Sequence, residues 1–472
     1  METRTARVLF LFAAMILAGC AARRYQSAPI APEDSALKLE SRTLADPGLK
    51  VFLEQNLGHV VSPWPPTNWD VNALTLAALY FNPQIEAARA QAEAASAAVV
   101  TAGARPNPTL SISPGIPSPY LFGLDFAVPI ETHGKRGIRV AEAQNLDEAA
   151  RVGLAVAAWK VRSQVRQAFA SVLVAEERGN LLRAQNNLLT RQVQLLQPRL
   201  VAGEIPRSDV DSARVELLNG GLTATQATGQ VATARVSLSA AIGVPVVALE
   251  NVRLSWPEFK SPLAPESFSR QQIQREAVVD RLDVRAALIQ YAAAEQALRL
   301  EIARQYPDFS IGPGYQFEES HNLLTIVFST VLPIFNRNQG PIGEAEAARK
   351  KAAADFLAVQ AQGIAQTEAA FAAYCSLFAE FDQTKTALVV LQTHRADMQR
   401  RSVALGESDG LALNGTLLEG SAAALLELDA LSRAQAALGA LEDAVQRPLQ
   451  GDFIMPDSLA TRSTNGTKGD KR

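Results

Sequence analysis

From Gly137 to Gln197 the chain contains no proline, and its apolar positions recur at helical spacing, with Val161, Val165, Phe169, Val172 and Leu173 along one stripe. The run from Ile342 to Leu405 has the same character. A helix of the first length is about 90 Å long, further than a globular core can reach. Both runs therefore predict helices packed lengthwise on one another, as in coiled coils. Alanine dominates them and lets neighbouring backbones approach closely, which permits a wall of helices one layer thick.

Each long run ends at a compact break, after which a second helical run returns. The first break is Ala202-Gly203-Glu204-Ile205-Pro206-Arg207-Ser208-Asp209, where Gly203 supplies a C-terminal stop and Ser208 or Asp209 an N-cap. The second is Leu405-Gly406-Glu407-Ser408-Asp409-Gly410. Both predict the tips of helical hairpins.

Ahead of each long helix the period changes from helical to two. Leu110 and Ile112 alternate with Ser111 and Ser113, and Leu124, Phe126, Val128 and Ile130 alternate with Asp125, Ala127 and Pro129. This predicts two strands with one apolar face, joined by a turn holding Pro117, Ser118 and Pro119. Phe309, Ile311, Tyr315 and Phe317 then precede a polar turn at Glu318-Glu319-Ser320-His321-Asn322, and Leu324, Ile326 and Phe328 follow it. Each chain thus holds two hairpins.

The two halves share one order. Ile85-Glu86-Ala87-Ala88, Pro108-Thr109-Leu110-Ser111-Ile112-Ser113-Pro114-Gly115 and Val128-Pro129-Ile130 answer to Val284-Arg285-Ala286-Ala287, Pro307-Asp308-Phe309-Ser310-Ile311-Gly312-Pro313-Gly314 and Leu332-Pro333-Ile334. An internal repeat of this size implies a pseudo-symmetric fold. The first repeat spans 71–243, with its hairpin at 108–130 and its tip at 202–209; the second spans 273–450, with its hairpin at 307–334 and its tip at 405–410. Residues 244–272 link them as a belt of short strand and loop, residues 20–70 read as an extended, proline-punctuated tether, and 451–472 form a polar tail.

Residues 1–19 read as an export signal: Arg4 and Arg7 precede an apolar run from Val8 to Ala18, too short to span a bilayer as a helix. The run ends in Leu17-Ala18-Gly19-Cys20, which resembles the lipobox of bacterial lipoproteins and implies acylation of Cys20. Ala21 follows the cysteine, and the resemblance then implies the outer membrane. The only other cysteine is Cys375, so an acylated mature chain has no intrachain disulfide and depends on packing. The composition is apolar, poor in aromatics and close to neutral, without the basic field that nucleic-acid binding requires.

Four strands with one apolar face cannot close a membrane barrel, since the smallest use about eight. Three chains contributing two hairpins each would close about twelve, and closure is obligatory in lipid. The long helices then continue as a tube on the periplasmic side.

With these features the chain resembles the TolC-like outer-membrane efflux proteins along nearly its whole length. In that family the first tip reads Gly, a few residues, Thr or Ser, then Asp-Val, and Gly203 with Ser208-Asp209-Val210 is similar. The strand-to-helix junction Ile130-Glu131-Thr132-His133-Gly134-Lys135-Arg136-Gly137-Ile138-Arg139 resembles the Gly-Lys-Arg junction of the heavy-metal, CzcC-like branch. The family carries aspartates just after the second tip; here Leu411-Ala412-Leu413-Asn414-Gly415 stands in their place, with Glu407 and Asp409 at the tip itself.

The resemblance implies a mainly α chain with a membrane β-barrel part, assembled as a homotrimeric α/β-barrel duct in the outer membrane. Its partners would be a periplasmic adaptor docked on the tips at Gly203, Glu204, Ser208, Asp209, Gly406, Glu407 and Asp409, an inner-membrane RND-type transporter, and outer-membrane lipid. The cargo implied by the branch is divalent heavy-metal cations; efflux of organic compounds and type I secretion use the same architecture. A periplasmic coiled-coil scaffold without a pore is the reading of another class, opposed by apolar faces such as Leu324, Ile326 and Phe328, which a spacer does not need.

No cofactor, metal centre or catalysis is expected. His59, His133, His321 and His394 are far apart and none has another ligand at metal-binding spacing. The Walker pattern is absent around Gly134-Lys135-Arg136, as are G-x-S-x-G, H-E-x-x-H and C-x-x-C throughout. Lys135 and Arg136 are expected to meet water or lipid head groups. Under threefold symmetry Glu204, Asp209, Glu407 and Asp409 would form carboxylate rings that favour cations; as single residues they read equally as caps and solvated tip charges.

Overall fold

The computed structural model describes residues 25–115, 121–318 and 321–450. The export segment with Cys20, the Pro117–Pro119 turn, Glu319-Ser320 and the tail from 451 lie outside the described residues. The chain divides into two units at Arg42. The described part of the first holds one helix, α1 (Pro32–Glu40), with no buried residue.

In the second unit, the stretch expected to be extended instead carries α2 (Pro47–Leu57). Its Pro47 stands at the first helical position, where a missing N–H costs nothing, and Asp46 caps Leu49 N at 2.9 Å. Leu49 and Leu53, one turn apart, are fully buried. The prolines mark where this helix begins, and the leucine pair seats it in the core.

The linking belt holds a short strand, as expected, and 3-10 turns where loop was expected. It is built of 3-10 turns at Val246–Leu249, Pro257–Lys260 and Pro265–Ser267, and its strand β4 (Arg253–Leu254) pairs in parallel with β1 (Asn68–Trp69) from the segment before the first repeat.

The first repeat runs α3 (Val71–Phe81), α4 (Pro83–Gly103), β2 (Thr109–Gly115), β3 (Leu121–Ile130), α5 (Lys135–Val201) and α6 (Arg207–Ile242). Asn82 separates α3 from α4: its Oδ1 accepts from Gln84 N at 2.9 Å and its Nδ2 donates to Ala241 O at 2.8 Å. The second repeat runs α7 (Arg270–Val279), α8 (Leu282–Ala303), β5 (Phe309–Glu318), β6 (His321–Thr330), α9 (Gln339–Gln383), α10 (Val390–Ala404) and α11 (Gly410–Val445). A π-helical turn, Thr384–Val389, interrupts the second long helix between α9 and α10; the apolar spacing alone predicts no such break. At 67 residues, α5 is about 100 Å long.

The main core gathers α2, α3 and the middle of α5, from Leu154 to Val172, around Trp69, Leu74, Ile85, Val161, Phe169 and Leu238. A polar seam joins the repeats where α5 runs antiparallel to α11. Arg162 and Arg166 both reach Glu442 Oε2, at 3.1 and 3.3 Å, and all three are buried. Asp443 accepts from Trp159 Nε1 at 3.0 Å and Ser163 Oγ at 2.5 Å. No helix among the described residues is long and apolar enough to cross a membrane.

Candidate functional site

The four hairpin strands form one antiparallel sheet in the order β2-β3-β5-β6. The hairpins of the two repeats are thus hydrogen-bonded neighbours through β3 and β5. Directly paired residues share a face, so the register sorts the sheet into rows. Ile112, Leu124, Tyr315 and Leu324 form one row, and Val128, Ile311 and Phe328 another. Between them Leu110 pairs with Phe126 and Pro313 with Ile326.

The opposite face is mostly small and polar: Ser111, Asp125, Gly314 and Thr325 in one row, and Ser113, Gly123 and Gln316 beside Leu323 in the next. On the apolar face Leu324 is 86% exposed, Ile326 80% and Phe328 62%. A face this apolar and this uncovered suits hydrocarbon. Strands β2 and β6 are open edges of the sheet, and in lipid such edges require another strand. His321, expected in a loop, opens β6 and pairs with Glu318.

At the base of the sheet the chain turns into α5 through His133 and Gly134, whose φ angles are 52° and 68°. Here the structure corrects one expectation. Lys135 does not meet water or lipid head groups: it is 6% exposed, and its Nζ donates to Tyr306 O at 2.6 Å and to Asp308 Oδ1 at 2.7 Å. Asp308 Oδ1 also accepts from Thr132 N at 2.7 Å, and the His133 ring stacks on Tyr306 with centroids 3.6 Å apart.

Burial opposes ionisation of Asp308, but the Lys135 ammonium and the Thr132 donors outweigh it and hold the carboxyl below its usual range. Arg136 is exposed and donates from Nε to Gly103 O at 2.7 Å, while Arg139 pairs with Glu131 at 2.6 Å. In the second repeat Asn338, φ 66°, occupies the left-handed place of Gly134, and its Nδ2 reaches Glu301 O at 2.8 Å. Asp308 escaped the sequence reading. Its signal is a mismatch between the repeats, since Pro108-Thr109 in the first answers to Pro307-Asp308 in the second.

The two tips close identically. Gly203 and Gly406 adopt φ 75° and 76°; Glu204 N donates to Arg199 O and Glu407 N to Ser402 O, each at 2.9 Å. The caps that follow differ. Neither Ser208 nor Asp209 is an N-cap: α6 begins at Arg207 after Pro206, with no side-chain cap, and Ser208 Oγ donates to Asp209 Oδ1. Pro206 already provides the extended turn-in, so the helix starts before either polar residue.

Asp409 does cap α11, accepting from Ala412 N at 2.7 Å, and its other oxygen meets Arg199 Nη2 at 2.5 Å. The Ala412 amide, and then Arg199, lower its carboxyl pKa. Arg199 thereby brings the first tip, Gly203 and Glu204, beside the second. Beneath them Leu196, Val210 and Ala213 pack with Leu200, Ile205 and Leu411. Glu204, Asp209 and Glu407 are exposed. Among the described residues no three His, Cys, Asp or Glu side chains gather as a metal-ligand set.

Comparison with known proteins bears on this arrangement. The family model described as outer membrane efflux protein matches residues 75–244. The chain is 31% identical over 293 residues to the cobalt-zinc-cadmium resistance protein CzcC of Cupriavidus metallidurans, an alignment covering 61% of this chain and 68% of that protein. In structure it is similar to the outer membrane protein VceC of Vibrio cholerae (TM-score 0.64, 19% identity, 80% of this chain and 97% of that one). It is also similar to a membrane protein of Pseudomonas aeruginosa (TM-score 0.66, 18% identity, 90% and 99%).

Proposed function

Because this chain belongs to the outer membrane efflux protein family, and so is a non-catalytic outer-membrane channel, we propose that it exports divalent heavy-metal cations as the final duct of a tripartite pump. The observation that carries the cargo is the 31% identity to a cobalt-zinc-cadmium resistance protein, most of whose length the alignment covers. The Gly134-Lys135-Arg136 junction supports the same branch.

In this reading three copies close the open edges at β2 and β6 into a barrel of about twelve strands, with the apolar rows against lipid and the polar rows lining water. Acylated Cys20 adds a lipid anchor. The long helices extend the duct into the periplasm, an adaptor docks at the two tips, and an inner-membrane transporter of the RND type supplies the energy. A duct passes cations without holding them, so it needs no ligand set of its own.

The test is survival of a deletion strain, with and without the restored gene, across zinc, cobalt, cadmium, nickel, copper and several hydrophobic antibiotics. Sensitivity confined to metals, cured by the gene, is the expected result. Sensitivity to organic compounds alone would replace the metal cargo with drug efflux.

A further inference from the structure

The charge on the sheet is one-sided. Neither hairpin segment, 106–134 or 305–336, contains a lysine or arginine. The acidic residues within its strands are Asp125 and Glu318, both on the face opposite the apolar rows. Glu318 lies at the far end of its hairpin, paired with His321, whereas Asp125 lies midway along β3. The basic side chains at the base of the sheet are already engaged: Lys135 by Asp308, Arg139 by Glu131 and Arg136 by Gly103 O.

The row containing Asp125 leaves its carboxylate unscreened. Its cross-strand neighbours are Ser111, Gly314 and, beyond the glycine, Thr325. A methyl group placed on Gly314 would lie 2.4 Å from Thr325 Oγ1 and 2.5 Å from Asp125 Oδ1. Two oxygens therefore converge over a bare Cα, with the Val327 methyl beside them at 3.0 Å from the same point.

Resting on the trimeric duct described above, we infer that Asp125 determines the ionic preference of the membrane-spanning section. Three copies form a carboxylate ring that draws cations through the barrel, independently of the charges at the periplasmic tips. The geometry makes this effective. Twelve strands about 4.8 Å apart and tilted about 45° close at a backbone radius of roughly 13 Å. That is comparable with the Debye length of about 10 Å at 0.1 M salt and well within the roughly 30 Å at 0.01 M. The field of the ring therefore fills the lumen at low salt and is screened at high salt, while a cation remains hydrated and passes without a binding site.

The experiment is the reversal potential of the purified full chain in planar bilayers under a potassium chloride gradient. The wild type is expected to prefer cations, more strongly as the mean salt concentration falls. Asp125→Asn should move the reversal potential toward zero by about half or more, a loss of the low-salt field, whereas Asp125→Glu keeps it. Thr325→Lys, at an exposed position in the same row, should drive the preference toward anions, and it tests the assignment even if Asp125→Asn does not assemble. Glu407→Gln at the tip should leave the barrel's contribution in place.

Wild-type reversal potentials in pores of Asp125→Asn and Thr325→Lys would overturn the assignment and leave the duct standing. A wild-type chain that forms no pore would remove the duct, and the assignment with it.

Discussion

Lys135 Nζ lies 2.7 Å from Asp308 Oδ1 and fastens the start of the first long helix to the start of the second hairpin, 173 residues further along the chain. The same ammonium holds Tyr306 O, so its charge is satisfied although the side chain is buried. The pair joins the four-stranded sheet to the first long helix and the first repeat to the second.

Removing one partner should therefore weaken the whole assembly. Lys135→Met leaves Asp308 without its counter-charge and Asp308→Asn leaves a buried ammonium half-satisfied. The expected cost is about 2 kcal/mol, below the usual range for a broken buried pair because the carboxylate is half-exposed. A lower apparent Tm in detergent for each single variant, and less than additive loss in the double variant, is the checkable outcome.

The same pair predicts a pH dependence with a definite sign. The folded pKa of Asp308 is depressed, so its contribution is fully present above the unfolded value near about 4 and is lost as pH falls through the folded value. The stability difference between the wild type and Asp308→Asn should shrink on acidification below about pH 4. Melting curves taken on both sides of that pH decide it; a constant difference would show that Asp308 acts by shape alone.

Glu442 is the keystone of the seam between α5 and α11. It accepts from Arg162 Nη1 and from the amides of Leu449 and Gln450, the last two at 3.0 and 3.2 Å, and forms an ion pair with Arg166. Glu442→Ala removes the counter-charge shared by two buried guanidinium groups and should cost about 3–5 kcal/mol. Urea unfolding should show it, with Glu442→Gln intermediate because the amide oxygen still accepts.

At the second tip, cap and ion pair can be separated. Asp409→Asn keeps a good N-cap while losing the pair to Arg199; Asp409→Ala loses both, with the cap worth about 1 kcal/mol. Hydrogen exchange at Ala412 should quicken markedly in the alanine variant and little in the asparagine one. Since Arg199 offsets the charge of Asp409, cation preference at this mouth should respond more to Glu407→Gln than to Asp409→Asn.

Gly312 marks the tightest approach in the sheet. A Cβ there would stand 1.7 Å from Phe126 O, on the backbone of the neighbouring strand, and the ladder between β3 and β5 passes over Phe126 and Ala127 without a direct pair. Because backbone cannot swing aside as a side chain can, Gly312→Ala should separate the two hairpins at a cost of roughly 3 kcal/mol. The readout is loss of heat-resistant oligomer, with Gly123→Ala, which meets only ordinary contacts, as the control.

Periodicity determined what is local in this protein. Runs of alanine at spacing 3.6 could only become long helices, alternation at spacing two could only become one-faced strands, and Gly203 and Gly406 could only end helices, because each follows from the backbone of a few consecutive residues. The internal repeat also made the pseudo-symmetry legible. What tertiary structure alone decided is where groups far apart in the chain meet. Lys135 looked like a surface cation because its partner lies in the other repeat, and Arg199 carried no signal until α11 placed Asp409 beside it. Residues 47–57 look extended in sequence because prolines punctuate the segment around them, whereas Pro47 opens a helix whose Leu49 and Leu53 are buried in the core. Charge pairing and burial depend on which elements become neighbours, and that is a property of the whole packed chain, not of any window along it.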